Sequence, residues 1–324
     1  MGKALSLEEE LVGLRGLRER GGVTDGEVTR LLGSKFNLIA AAGAEMAGEG
    51  GREGLLANLV AAFERFLKNG EKTDKGCLAK VALVNALCRL DHRDEEVYLR
   101  GLHCVQKEPS FGGAVDTAGE LRGRCATALA ESNYPHALDE IVPLLVDGEV
   151  QARVGAARAV AAVGSDGAAA ALKLKLLVGD AEPMVLGEVV TGLLAIAPER
   201  GVAFVVGVLG RATADDGAAI TAALAESRNP AALTVLQAAY EAAKTAEGRV
   251  TALRAIALLR VDGAMEYLLG LVERALHPRA REVVEAVGVR KDDEGFRRRL
   301  EEALVKRDDQ FLMRYCGEVM GDRR

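Results

Sequence analysis

The chain has 324 residues, of which 49% are hydrophobic, but only 4% are aromatic and none is Trp. A core made mainly of Ala, Leu, Val and Gly suits thin layers of closely approaching helices and argues against a β-sandwich, which uses more β-branched and aromatic side chains. The formal net charge of −6 argues against broad adhesion to nucleic acid or to an anionic membrane.

No apolar run is long enough to cross a bilayer without charges. Residues 1–10 lack the apolar core and cleavage site of a signal peptide. Gly2 with Ser6 fits the bare N-myristoylation pattern, a motif short enough to occur often by chance. The five cysteines (Cys77, Cys88, Cys104, Cys125, Cys316) are odd in number and fall within helical patterns. They read as reduced thiols of a cytoplasmic protein.

In chain order, residues 5–20 place Leu7, Leu11, Leu14 and Leu17 on one helical face, and Gly21-Gly22 stops the helix. Thr24 or Asp25 can cap a short helix through Leu32, and Ser34 a longer one whose stripe is Phe36, Ile39, Ala40, Gly43 and Met46. Leu55, Leu59, Val60, Phe63 and Phe66 form the next apolar face, ending at Asn69-Gly70. A charged turn at residues 72–76 precedes a helix over residues 78–90. Residues 107–119 then form an insertion holding Glu108-Pro109-Ser110-Phe111-Gly112-Gly113. Its proline and paired glycines imply a sharply turned loop.

From Leu121 a unit of two short amphipathic helices repeats. Leu129, Val160, Leu193, Leu224 and Leu258, taken as the buried aliphatic near the end of each first helix, lie 31, 33, 31 and 34 residues apart. A fixed period built from helix pairs predicts an all-α fold, an α-solenoid, because one pair cannot hide its apolar faces without neighbours. Asp147, Asp180 and Asp215-Asp216 sit between units, where they can accept from free amides of the next helix. Pro183 and Pro278 suit first helical turns. The last pair covers residues 279–287 and 294–305, and residues 308–320 form a capping helix. The chain thus reads as irregular helix pairs over 1–120, regular repeats over 121–275, and a final repeat with cap over 276–324.

Leu121-Arg122 and Ala152-Arg153, the small Ala126 and Ala156-Ala157, the aliphatic Leu129 and Val160, and the Asp147 and Asp180 closures resemble the HEAT repeat family, in its short bacterial form. Leu186-Gly187 departs from the arginine-bearing pattern. The resemblance covers about half the chain. It implies architecture and admits several functions, among them protein scaffolds, bilin lyase subunits and a class of alkylpurine DNA glycosylases.

No catalytic motif is present, and no cofactor is expected. Cys88 with His92, and His103-Cys104 beyond, outline a thiolate–imidazole metal site that lacks a fourth ligand at zinc spacing, so no metal is expected. The insertion is the main candidate site, with Phe111 and Asp116 as contacts; the alternative makes Phe111 a plug between repeats. A second set is Lys72, Asp74, Lys75, Lys80 and Asn85, set against a reading in which Lys80 snorkels to solvent. A third is the ladder of Arg122, Arg124, Arg153 and Arg158 with Lys173 and Lys175, a basic stripe unless these cations bond to inter-repeat aspartates and helix ends. Together these imply a non-enzymatic scaffold that binds a protein or peptide on the concave face, through Lys75, Lys80, Phe111, Asp116, Arg122 and Arg153. The alternatives are a DNA-binding protein or glycosylase, disfavoured by charge and the lack of Trp, and a bilin lyase-like subunit.

Overall fold

A computed structural model describes residues 6–211 and 214–321. It divides into two compact units, Met1–Val163 and Gly164–Arg324, and the division falls inside the run that the period reads as regular repeats. Each unit is an α-solenoid stack of helix pairs. Gly2 and the side chains of Asp215 and Asp216 lie outside the described set.

In the first unit the helices are α1 (Leu7–Arg20), α2 (Asp25–Leu32), α3 (Asn37–Glu49), α4 (Leu56–Leu67), the single turn α5 (Gly70–Thr73), α6 (Leu78–Arg89) and α7 (Glu95–Leu102). A hairpin follows, β1 (Lys107–Ser110) and β2 (Gly113–Asp116), then α8 (Gly119–Glu131), α9 (Ala137–Ile141) and α10 (Val150–Val163). Ser6 and Thr24 close capping boxes with Glu9 and Glu27 at the starts of α1 and α2, satisfying amides that have no partner within the helix. Ser34 does not cap α3, as the sequence pattern had implied. It is buried, donates to Glu10 and accepts from the Phe36 amide, and α3 begins at Asn37 without a side-chain cap. After α9 the chain tightens into a 3₁₀ segment over Val142–Val146, because Pro143 has no amide to continue α-helical bonding.

The first helices of successive pairs, α3, α6, α8 and α10, pack on one another in series. The tightest approach is between α8 and α10, where Gly123 faces Gly155. A Cβ placed on Gly155 would stand 2.3 Å from the Gly123 Cα, so the two backbones meet with no side chain between them. Leu129 and Val160 are fully buried in this stack.

The second unit continues with α11 (Asp166–Val178), α12 (Pro183–Ile196), α13 (Pro198–Leu209), α14 (Ala214–Glu226), α15 (Pro230–Ala242), α16 (Ala246–Leu258), α17 (Ala264–Arg274), α18 (His277–Val287), α19 (Glu294–Arg307) and α20 (Gln310–Met320). Pro183 and Pro278 lie in first turns. Leu193 and Leu224 are fully buried, but Leu258 is half exposed, and Ile256 takes the buried position in α16. The α16 phase is therefore two residues earlier than the period alone implies, and the spacing from Leu224 is more regular for it.

Candidate functional site

In the first unit the connections between pairs are bonded to one another. Asn37 Nδ2 donates to the Lys75 carbonyl, and the Gly76 amide donates to Glu108 Oε1 at 2.8 Å. The insertion, expected as a sharply turned loop, has regular structure over residues 107–116. It is a two-stranded hairpin in which Lys107 faces Asp116 and Ser110 faces Gly113. Phe111 and Gly112 make the turn, and Gly112 has a φ of 98°, a conformation glycine reaches without Cβ strain.

Asp74 and Lys80 sit beneath the hairpin, and neither has any exposed surface. The Asp74 carboxylate accepts from the Ala79 and Lys80 amides at 2.8 and 3.1 Å, serving the free N-terminal groups of α6. Lys80 Nζ donates to Asp74 Oδ2 at 2.9 Å, to Gln106 Oε1 at 2.8 Å and to the Phe66 carbonyl at 3.4 Å, which uses all three of its donors. Lys80 therefore does not snorkel, and it does not face a partner. Its stem runs inward because an acceptor set waits there, and a buried charge is tolerated only when paired in this way.

Gln106 carries the network to the hairpin. Its side-chain amide donates to the Asp74 carbonyl and to Glu108 Oε1, and its backbone amide donates to Asp116 Oδ1. Asp116 also accepts from the Ala118 amide and, at 2.9 Å, from Arg122 Nη1. Burial alone would raise the Asp116 carboxyl pKa, but the two amides and the guanidinium outweigh it and hold the pKa below 3.8, its ordinary value. Glu108 is likewise held below 4.5. The Gln106, Gly76 and Thr117 donors outweigh its desolvation.

Arg122 extends the network further. It binds Asp147 through two parallel bonds of 2.9 and 2.8 Å and donates to the Cys104 carbonyl. Arg153 donates to the backbone carbonyls of Asp147 and Gly148, and Asp147 accepts from the Glu149 amide. The Arg122–Arg153 pair is thus no free basic stripe. Arg122 is buried, and both side chains hold the turn that opens α10. In the second unit, Lys175 pairs with Asp180 at 2.7 Å and Lys173 lies over the Phe204 ring.

All of this polar bonding holds up a hairpin that packs against very little. Phe111, at its tip, is 110% exposed relative to a free residue. The alternative that made it a plug between repeats is therefore corrected: no cavity receives the ring. Lys75, Lys107, Val105 and Val115 are also exposed around the hairpin. A shallow cleft of about 410 Å³ beside the hairpin is lined by Val105, Lys107, Arg122 and Asp147 among others, and its charged groups are largely committed to one another.

Among the described residues no cluster of His, Cys, Asp and Glu could hold a metal ion. His103 instead contacts Glu140 at 3.2 Å. Burial pushes the Cys77 and Cys88 thiols up to about 11, and Cys125 well above its ordinary value. All three stay protonated at neutral pH and are poor nucleophiles and metal ligands. Among the described residues no helix is long and apolar enough to cross a membrane.

Reasoning from sequence missed Gln106, and it placed Glu108 and Thr117 in the candidate insertion without a role, although the three join the two halves of the network. The one available signal was the Gly112-Gly113 pair flanked by short extended segments, a hairpin mark.

No family model matches the chain, and no curated protein matches it. Several solved structures are similar to it. One is the complex of CpcE and CpcF of phycocyanin lyase from Nostoc sp. PCC7120, at 17% identity, covering 83% of this chain and 95% of that one, with a TM-score of 0.43. An engineered protein is 16% identical, with 97% and 92% covered and a TM-score of 0.33. Human deoxyhypusine hydroxylase in complex with glycerol is 15% identical, with 90% and 98% covered and a TM-score of 0.29. At these identities and scores the likeness carries no functional content.

Proposed function

We propose that this protein is a non-enzymatic scaffold of HEAT-like helical repeats, and that it binds a protein partner through the hairpin of its first unit. The observation behind this reading is the contrast between the hairpin's base and its tip. The base is anchored by a buried, fully bonded network of Lys80, Asp74, Gln106, Asp116 and Arg122. The tip presents a bare aromatic ring. A buried polar network contributes little net stability compared with an apolar core, but it defines a geometry closely. A rigidly held, exposed aromatic is the usual anchor of a protein interface.

In this reading Phe111 and Lys75 touch the partner, Lys80, Asp116 and Arg122 position the hairpin, and Arg153 holds the adjoining turn. The contact lies along the edge formed by the connections rather than on the concave face expected from the repeats. The test is quantitative co-purification from cells that naturally express the protein, wild type beside Phe111→Ala. The expected result is a partner retained by the wild type and lost by the variant, with identical circular dichroism and melting for the two proteins. Equal recovery of every partner by both proteins would refute the role of the hairpin.

A further inference from the structure

Two kinds of side chain gather on the edge that bears the hairpin. The first is large and apolar. Among the described residues of the first unit, the exposed large hydrophobics are Val12, Leu38, Leu78, Val105, Phe111, Val115 and Val146. All except Val12 and Val146 lie in the connections between pairs or in the first turn of the helix that follows, and Val146 ends the 3₁₀ segment just before such a connection. Single exposed apolar residues scattered over a surface need no explanation, but five confined to one edge do.

The second kind is cationic. Across connections 33–36, 68–77, 103–118 and 147–149, the exposed charged residues are Lys35, Lys68, Lys72, Lys75 and Lys107, against one exposed acid, Glu71. The acids Asp74, Asp116 and Glu108 are spent inside the network, and Glu120, in the first turn of α8, pairs with Arg124. The opposite edge, where the two helices of each pair join, carries Glu49, Glu53, Asp91, Asp94, Glu95 and Glu131. Its exposed arginines Arg89 and Arg93 are already paired with Glu49 and Asp91. A unit with more acids than bases thus keeps a basic edge, and that edge is also where its apolar side chains are bare.

We infer that the hairpin edge binds an acidic polypeptide segment in which carboxylates alternate with large apolar residues. The inference rests on the proposed protein-binding role and names the chemistry of the partner. Apolar residues of the segment meet Leu38, Leu78, Val115 and Phe111, and its carboxylates meet the lysines. Rim charges of this kind act mainly on encounter rate and on the choice of partner. Nucleic acid fits less well, since it offers no aliphatic side chains, and the described edge has a single fully exposed aromatic, Phe111, where a base-stacking surface uses several.

The test uses the full chain and labelled synthetic peptides in a fluorescence anisotropy titration. The first peptide alternates glutamate with leucine and phenylalanine, the second replaces each glutamate by glutamine, and the third replaces each apolar residue by serine. Duplex DNA and vesicles of phosphatidylserine with phosphatidylcholine complete the set. The protein variants are Lys72→Glu/Lys75→Glu/Lys107→Glu and Leu78→Ser/Val115→Ser, each at exposed positions and each checked for folding by circular dichroism. The first peptide is expected to bind in a salt-sensitive manner. Loss of either feature in the peptide, or of either side-chain set in the protein, is expected to weaken binding by about tenfold or more.

Equal binding of the glutamine peptide, tighter binding of DNA or vesicles, or no binding of the first peptide would each overturn the inference. The lysine variant also goes through the co-purification. If it keeps the partner that Phe111→Ala loses, the hairpin reading stands and the acidic-partner inference falls. If Phe111→Ala keeps every partner as well, both fall.

Discussion

Gly155→Ala tests the packing on which the first unit depends. In an exposed helix, replacing Gly by Ala gains about 1 kcal/mol of helix propensity. At Gly155 the new methyl would meet the Gly123 Cα at 2.3 Å and its carbonyl carbon and oxygen at 2.8 Å. Ordinary contacts between carbon atoms lie at about 3.5–4.0 Å, so α8 and α10 have to separate by more than an ångström. No flexible side chain stands there to yield. Overpacking costs about 1–3 kcal/mol, and a clash of backbone on backbone belongs at the upper end. After the propensity gain, a net loss of about 2 kcal/mol remains. For a unit of this size that lowers the melting temperature by about 4–8 °C. Gly187 in α12 provides the contrast. A Cβ there meets nothing nearer than the Ala223 carbonyl oxygen at 3.6 Å. Gly187→Ala should therefore stabilise by about 0.5–1 kcal/mol. Thermal and urea melts followed by circular dichroism, with amide exchange read across α8 and α10, measure both. If Gly155→Ala proves as stable as the wild type, the Gly123–Gly155 contact is not formed and the stacking argument fails.

Lys80→Met removes the side-chain cation that pairs with Asp74 and leaves a carboxylate with no exposed surface. Urea unfolding should show a loss of about 3–5 kcal/mol, and a loss below about 1 kcal/mol would mean that water reaches the site. Asp116 and Glu108 have folded pKa values below their ordinary 3.8 and 4.5. The unfolded chain therefore binds more protons, and their contribution is present above those ordinary values and fades as pH falls through the lower folded ones. Proteolysis within residues 107–116 should accordingly rise below about pH 4, and Asp116→Asn should raise it already at neutral pH and flatten the acid dependence. Leu129→Ala, in the last turn of α8 with no exposed surface, should cost about 2–5 kcal/mol; a loss below about 0.5 kcal/mol would place Leu129 on the wrong face.

The architecture was legible in the sequence because it is made of local signals. Apolar residues at helical spacing, caps such as Thr24 and prolines such as Pro183 act within a few residues of themselves, and a pair that cannot bury its own faces must stack on others. Local phase is less secure where two aliphatics stand two residues apart near a helix end. Ile256 and Leu258 satisfy the same period, and only the packing of α16 among α14, α15 and α18 decides that Ile256 turns inward. The candidate site was half legible. Phe111, Asp116, Lys80 and Arg122 stood out as residues at odds with their surroundings. What each does depends on partners 26 residues from Lys80 and 25 from Arg122, which neither propensity nor spacing can supply. The hairpin's strands are four residues long, too short for alternation to register, and Pro109 in β1 reads against a strand. Tertiary structure alone decided that the lysine is buried and the phenylalanine bare, because burial belongs to the assembled neighbours and not to the residue itself.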